Sequence, residues 1–226
     1  VKDKNNANRS GKTPLHYATI YNQLSICQYL MNDKEVKHQE DNIGMTPFQY
    51  AVCSKRGHLD ICKLIASCME DKNAIFQGDN SGLTPFHHAA KHGHLDICKL
   101  IIVNIQNKNP EVPNGTTPLH KAAEMGHLDI CKLIIENILH KNPGGHNGET
   151  PLHLATEKGH LGICKFIIEN VHDKNPVDYN GDTPLHMAAL FGHLDICILI
   201  IESMQNKLII GKIRNNRLCF YAVLLR

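Results

Sequence analysis

An excess of charge of one sign, a long apolar run and any recognisable catalytic string are all missing from this chain. Lys and Arg number 24 against 22 Asp and Glu, for a formal net charge of +2. So even a balance gives no electrostatic argument for a nucleic acid or a membrane surface as partner. No apolar stretch is long enough to span a bilayer, and no leader pattern opens the sequence. Gly-x-Ser-x-Gly, the kinase strings and His-Glu-x-x-His do not occur. The glycine-rich run at 144–148, GGHNG, lacks the Gly-Lys-Ser/Thr ending and the preceding strand of a phosphate loop. These absences lead us to expect no catalysis and no cofactor.

What the chain does have is one string written many times. TPLHKAAEMGHLDIC at 117–131 returns as TPLHYATIYNQLSIC, TPFQYAVCSKRGHLDIC, TPFHHAAKHGHLDIC, TPLHLATEKGHLGIC and TPLHMAALFGHLDIC. The Thr-Pro pairs begin at Thr13, Thr46, Thr84, Thr117, Thr150 and Thr183, so the spacing is 33 residues except for one step of 38. A fixed period of this length predicts stacked supersecondary units rather than one globular core.

Elementary chemistry predicts the unit. Thr117 caps a helix through its hydroxyl, and Pro118 at the first helical position forfeits no hydrogen bond. Leu119, Ala122 and Ala123 share one helical face, and the paired alanines let a neighbouring helix come close. Gly126 ends this helix, since glycine enters the left-handed region cheaply. A second helix is predicted from about Leu128 to about Ile138, apolar nearly all round and therefore covered on several sides. The Asn-, Gly- and Pro-rich stretch that follows predicts a hairpin-like turn. One unit cannot hide its own apolar surface, so neighbours must.

The period, the helix–turn–helix pattern and the string T-P-L-H-x-A together resemble the ankyrin repeat. The resemblance runs over residues 1–207. It implies an all-α repeat solenoid of stacked helix-turn-helix units joined by hairpin-like turns. The expected division is a partial tail at 1–7, repeats at about 8–39, 40–77, 78–110, 111–143, 144–176 and 177–207, and a divergent tail or degraded cap at 208–226. Residues 1–5, VKDKN, match 171–175, VHDKN, so the chain is expected to open inside the tail of a repeat, as a fragment of a longer array. Where the family usually ends its second helix with Gly-Ala-Asp or Gly-Ala-Asn, this chain has Ile138-Leu139-His140, which leaves the helix end open. Lysines at 37, 72, 108, 141, 174 and 207 recur beyond it, where they would oppose the negative end of the helix dipole.

Of nine cysteines, six (Cys27, Cys62, Cys98, Cys131, Cys164 and Cys197) stand at one place in successive units. Stacked helices lie about 8–10 Å apart, beyond disulfide reach. These cysteines read as small buried apolar residues, and free thiols point to an intracellular setting, cytoplasm or nucleus. The histidines also recur. His16, His87, His120, His153 and His186 follow Thr-Pro-Leu/Phe, and a structural bond between turns suits their period. Gln49 takes the place once, which hydrogen bonding tolerates and catalysis does not. His58, His94, His127, His160 and His193 precede a cysteine by four residues, which would put both on one helical face. A metal there is disfavoured, because one unit supplies only two ligands and the cysteine is needed inside. His87, His88, His92 and His94 form the densest group, with His88 and His92 at i, i+4. A solvated polar face is the favoured reading over an adventitious zinc or nickel site.

Positions that recur serve the fold, and positions that vary between copies are left to serve a partner. The variable ones are Ile20, Tyr21, Met45, Lys55, Arg56, Leu83, Lys91, His92, Glu124, Met125, Glu149, Glu157, Lys158, Tyr179, Asp182, Leu190 and Phe191. On a stacked architecture they are expected to line a concave face. Their aromatic and methionine content suits a protein interface. The expected role is a monomeric protein-binding adaptor or scaffold without catalysis, nucleic acid or membrane insertion. The alternative is a regulatory or targeting segment of a larger enzyme or ion channel. Two extra residues at 52–56 in the second copy fall in a loop, either neutral or part of the binding face.

Overall fold

The computed structural model describes residues 6–32, 39–68 and 78–204. The expectations for residues 1–5, for the tail at 208–226 and for Lys37, Lys72 and Lys207 lie outside the described residues, as does part of the stretch between Cys62 and Thr84, where the sequence places the other three extra residues of the 38-residue step. Among the described residues there are twelve α-helices, one short 3-10 turn and no strand.

The chain divides into two compact units, residues 1–113 and 114–226. The first holds α1 (Pro14–Ile20), α2 (Leu24–Met31), α3 (Pro47–Cys53), α4 (Leu59–Cys68), α5 (Pro85–His92) and α6 (Leu95–Ile102). The second holds α7 (Pro118–Glu124), α8 (Leu128–Ile135), α9 (Pro151–Glu157), α10 (Leu161–Asn170), α11 (Pro184–Leu190) and α12 (Leu194–Ser203). Consecutive helices pack as pairs. Within the first unit α1, α3 and α5 stack in order, and α2, α4 and α6 do likewise. Within the second unit α7, α9 and α11 form one row and α8, α10 and α12 the other. Each unit is thus a short all-α solenoid of stacked helix pairs.

Every first helix begins as its sequence predicts. Thr13, Thr46, Thr84, Thr117, Thr150 and Thr183 sit at the N-cap with extended backbone, and proline follows. The cap is reciprocal, as in a capping box. The hydroxyl of Thr117 accepts from the His120 N–H, and the Thr117 N–H donates to His120 Nδ1 at 3.1 Å. That backbone donor fixes the ring: Nδ1 must accept, so the proton sits on Nε2.

Nε2 then reaches into the next pair. His16 donates to the Met45 carbonyl at 3.0 Å, and His120 to the Glu149 carbonyl at 3.1 Å. His153 does the same to Asp182 at 3.2 Å. Gln49 reproduces the arrangement with an amide. Its Oε1 accepts from the Thr46 N–H at 2.8 Å, and its Nε2 donates to the Leu83 carbonyl at 3.4 Å. The structural reading of these residues therefore holds.

The histidine that precedes each second helix behaves differently from the sequence expectation of a shared face with cysteine. His94, His127, His160 and His193 stand at non-helical N-caps. His160 Nε2 meets the Glu124 carbonyl at 3.2 Å, His193 meets Glu157 at 3.1 Å, and His94 meets Ser54 at 2.9 Å. Each ring thus turns back to the first-helix end of the preceding pair, while its cysteine turns inward. Gly126 is required here for two reasons. Its φ is +83°, and a Cβ on it would lie 2.8 Å from the His160 ring.

The core is aliphatic. Leu119, Ala122, Ala123, Ile130, Cys131, Ile134 and Ile135 are at most 1% exposed, as the helical face of the sequence predicts. Burying each large side chain stabilises by about 1.5–3 kcal/mol. The repeated cysteines are free and buried, and burial pushes the Cys62 and Cys131 thiols up to about 12. α8 ends at Ile135 rather than near Ile138. An asparagine closes it: Asn137 Nδ2 donates to the Leu133 carbonyl at 2.8 Å. Asn104 and Asn170, one period away, do the same to Leu100 and Phe166. Lys108 adds its ammonium to the carbonyls of Ile102 and Ile105, the predicted answer to the helix dipole.

Burial holds His16, His120 and His153 below the ordinary imidazole range, His120 down to about 4, although the bond to the carbonyl pulls the other way. The unfolded chain therefore takes up protons first as pH falls. Stability is complete above about pH 6.5 and is lost progressively toward pH 4, by roughly 3 kcal/mol for His120 alone. Chemical denaturation across this window is expected to show it. His120→Gln should flatten part of the slope with little loss at pH 7.5, whereas His120→Ala should cost about 1–3 kcal/mol at pH 7.5, a deficit that shrinks toward pH 4 as the unsubstituted chain loses the contribution of His120.

Candidate functional site

The variable residues fall at two places in each unit. In the first unit Ile20 ends α1 and Tyr21 caps it, Lys55 and Arg56 follow α3, and Lys91 and His92 end α5. Met45 and Leu83 stand in the turns that lead into α3 and α5. In the second unit Glu124 with Met125, Glu157 with Lys158, and Leu190 with Phe191 occupy the ends of α7, α9 and α11. Glu149, Tyr179 and Asp182 lie in the turns before α9 and α11.

Histidine and glutamine bonds grip the backbone at six of these positions. The carbonyls of Met45, Leu83, Glu149 and Asp182 receive the bonds from His16, Gln49, His120 and His153. The carbonyls of Glu124 and Glu157 receive those of His160 and His193. A carbonyl is present whatever the side chain, so residue identity can change there without loosening the stack. The side chains project from a backbone already held.

Their exposure separates them. Tyr179 is 83% exposed, Leu190 75%, Tyr21 67%, Phe191 48% and Met125 47%. Lys55, Arg56, Lys91, His92 and Lys158 are exposed, and Ile20, Leu83, Glu124, Glu149, Glu157 and Asp182 half-buried. Met45 departs from the set. At 9% exposure it belongs to the core, because its turn tucks under α1 where His16 holds its carbonyl.

Charge also differs between the units. The first presents Lys55, Arg56 and Lys91. The second presents Glu124, Glu149, Glu157 and Asp182, with Lys121 on Glu124 at 3.1 Å and Lys158 on Glu157 at 2.7 Å. Burial raises the Glu149 pKa, and the charges of Glu157 and Asp178 raise it further. The acidic groups of this unit are therefore close enough to feel one another.

Three features escaped the sequence reading. Tyr17 stacks on Tyr21, with centroids 6.5 Å apart and planes at 9°, so the aromatic patch on α1 is twice as wide as one residue suggests. Lys12, Asp41 and Tyr50 form a polar bridge: Lys12 Nζ lies 2.9 Å from Asp41 Oδ2, and the Tyr50 hydroxyl donates to the same oxygen at 2.7 Å. Asp41 Oδ1 meanwhile accepts from the N–H groups of Ile43 and Met45 at 3.0 Å, which shapes the turn. Period would have flagged Asp41, since Asp79 and Asp178 stand at equivalent places and hold the backbone N–H groups of Leu83 and Asp182.

The third concerns metal ligands. Of the four clustered histidines, His87 turns inward to its Thr84 cap, and His94 is bound to the Ser54 carbonyl. His88 and His92 remain on one face of α5, and Cys53 from the end of α3 joins them. Their ligand atoms all lie within 4.8 Å of one another. Burial pushes the Cys53 thiol up to about 12, with Asp79 adding to the effect and Lys91 opposing it.

The family model for ankyrin repeats (3 copies) matches residues 1–76, 75–144 and 137–209. Among curated proteins none matches the chain.

The Lys12 bridge gives a direct check on the turn geometry. Burial pushes the Asp41 carboxyl up, but the hydrogen bonds from Tyr50, Lys12 and the turn outweigh it and hold the group below its ordinary range. Replacing Lys12 by methionine is expected to move the Asp41 titration upward, followed by carboxyl-carbon NMR. The midpoint of acid unfolding should rise with it.

Proposed function

From membership of this chain in the ankyrin repeat family, whose repeats generally mediate protein–protein interaction, we propose that it is an adaptor or scaffold that binds a partner protein through the variable side chains of its turns and first-helix ends. The family is typically a non-catalytic interaction module, and we assign the chain no reaction of its own. No helix among the described residues is long and apolar enough to cross a membrane.

One observation carries the reading. Recurring positions are buried or hydrogen-bonded, whereas the copy-specific positions include exposed Tyr21, Met125, Tyr179, Leu190 and Phe191. Large aromatic and methionine side chains held out on a rigid backbone are what an interface core uses, because little freedom remains to be lost on binding. Tyr17 beside Tyr21, and Leu190 beside Phe191, supply two such anchors, one in each unit. The surrounding lysines, arginine and glutamates favour a partner whose surface alternates in charge. Their contribution is to orientation and association rate more than to affinity.

Affinity capture from a cell lysate, read by mass spectrometry, identifies the partner. Tyr21→Ala and Phe191→Ala are then each expected to weaken capture by about 10-fold or more, with far-ultraviolet dichroism unchanged. Binding unaltered by alanine at Tyr21, Met125, Tyr179 and Phe191 together would contradict the proposal. A loss of helicity would move those residues to the structural set.

A further inference from the structure

Cys53, His88 and His92 are each peculiar to their own copy of the repeat. The positions equivalent to Cys53 hold Ile20, Lys91, Glu124, Glu157 and Leu190. Those equivalent to His88 hold Tyr17, Tyr50, Lys121, Leu154 and Met187, and those equivalent to His92 hold Tyr21, Ser54, Met125, Lys158 and Phe191. No rule of the fold asks for a thiol or an imidazole at any of the three. Yet stacking α3 against α5 brings all three together, and among the described residues this is the one group of at least three potential ligands at such range.

The local structure supports the grouping. His88 and His92 are four residues apart on α5, so both rings leave the same face. The ring of His88 is already oriented, because its Nε2 lies 3.0 Å from Asp79 Oδ2. Asp79 is itself fixed, since its other oxygen accepts from the N–H groups of Ser81 at 2.9 Å and Leu83 at 3.1 Å. A carboxylate behind a histidine is the arrangement that orients ligating imidazoles and raises their basicity. Cys53 is the last residue of α3, and Ser54 after it is extended. The inserted residues at 52–56 thus let the chain leave the helix at the thiol. In the other copies a turn follows at once, at a glycine or, in the first copy, at Asn22 with φ 56°.

We propose that Cys53, His88 and His92 form a binding site for a borderline-soft divalent cation, zinc by ligand chemistry, with a fourth position left to water or to a group of a partner. One thiolate and two imidazoles suit zinc, and three protein ligands leave a tetrahedral ion open on one side. Ligand atoms around such an ion lie roughly 3.3–3.6 Å apart, from bonds of about 2.0–2.3 Å. The present separations, up to 4.8 Å, close to that by about an ångström through side-chain rotation; Cys53 and His88 are half-buried, and the exposed His92 ring stacks on His94 with centroids 5.9 Å apart. On binding, the Cys53 S–H bond is replaced by an S–metal bond and the proton passes to solvent. Uptake is therefore accompanied by proton release and weakens as pH falls. The ion would tie α3 to α5 beside Lys55 and Arg56, stiffening that part of the first unit.

Cobalt(II) titration of the whole chain under anaerobic, reducing conditions tests the site. The expected result is uptake of about one equivalent, tetrahedral d–d bands, a thiolate-to-cobalt charge-transfer band, and displacement of all three by zinc. Cys53→Ser should abolish the charge-transfer band, and Cys68→Ser, whose thiol is exposed and lies outside the group, should leave it unchanged. His92→Ala, at an exposed position that varies from copy to copy, should weaken zinc binding by about 10-fold or more and reduce the rise in Tm that zinc gives the unsubstituted chain. Absence of the charge-transfer band overturns the assignment. So does a band that survives Cys53→Ser in a folded variant, or zinc affinity unchanged by His92→Ala.

Discussion

A hydrogen bond from a neutral imidazole to a main-chain carbonyl of the following helix pair is the interaction on which this structure depends. It begins with the threonine N-cap, whose backbone N–H obliges Nδ1 to accept and so places the proton on Nε2. It ends one pair later on the carbonyls of Met45, Glu149 and Asp182. Helix capping and repeat stacking are thus one act performed by one ring. Gln49 shows which property is required, since an amide offers the same acceptor and donor in the same directions without any capacity to titrate near neutrality. A second set, the N-cap histidines of α6, α10 and α12, ties the same stacks from the other end of the first helices.

Because these bonds address carbonyls, they constrain backbone and leave side chains free. The constraint explains how one chain can keep a 33-residue pattern, with one longer step, and still differ from copy to copy along one set of positions. Tyr21, Met125, Leu190 and Phe191 stand exposed at the ends of first helices and Tyr179 in a turn bonded to the Asn147 carbonyl, so on the proposed function a partner would find their backbone already ordered. The same logic accounts for the Asp41, Asp79 and Asp178 turns, each of which orders its own loop through two backbone N–H groups. In two of them the remaining oxygen serves something local: the Lys12–Tyr50 bridge at Asp41, and the His88 ring at Asp79.

Much of this was legible before any coordinates. Thr-Pro marked every first helix, glycine followed the end of each except α1, where Asn22 stands, and the repeated cysteines took the buried places that their period implied. What could be read was whatever repeats, because repetition turns a local preference into a pattern. The asparagine stops at Asn104, Asn137 and Asn170 repeat as well, but their role depends on a side-chain reach of one turn that composition does not reveal. Met45 looked variable and proved buried, since the turn before α3 folds inward under the grip of His16. The meeting of Cys53 with His88 and His92 lay beyond sequence reasoning for a different reason. The residues are remote in the chain, none of them recurs, and the single 38-residue step with its two-residue insertion obscures which positions face each other across α3 and α5.

The most direct test of the account is the protonation state of the capping imidazoles. Nitrogen-15 NMR of the histidine rings reports tautomer and charge for each residue. His16, His120 and His153 are expected to be neutral, with the proton on Nε2, and to stay so as pH is lowered through the ordinary imidazole range, His120 down to about pH 4 if the fold survives that far. Rings that carry the proton on Nδ1, or that become charged near pH 6.5 while the helices remain intact, would show that the pairs are held together by something else.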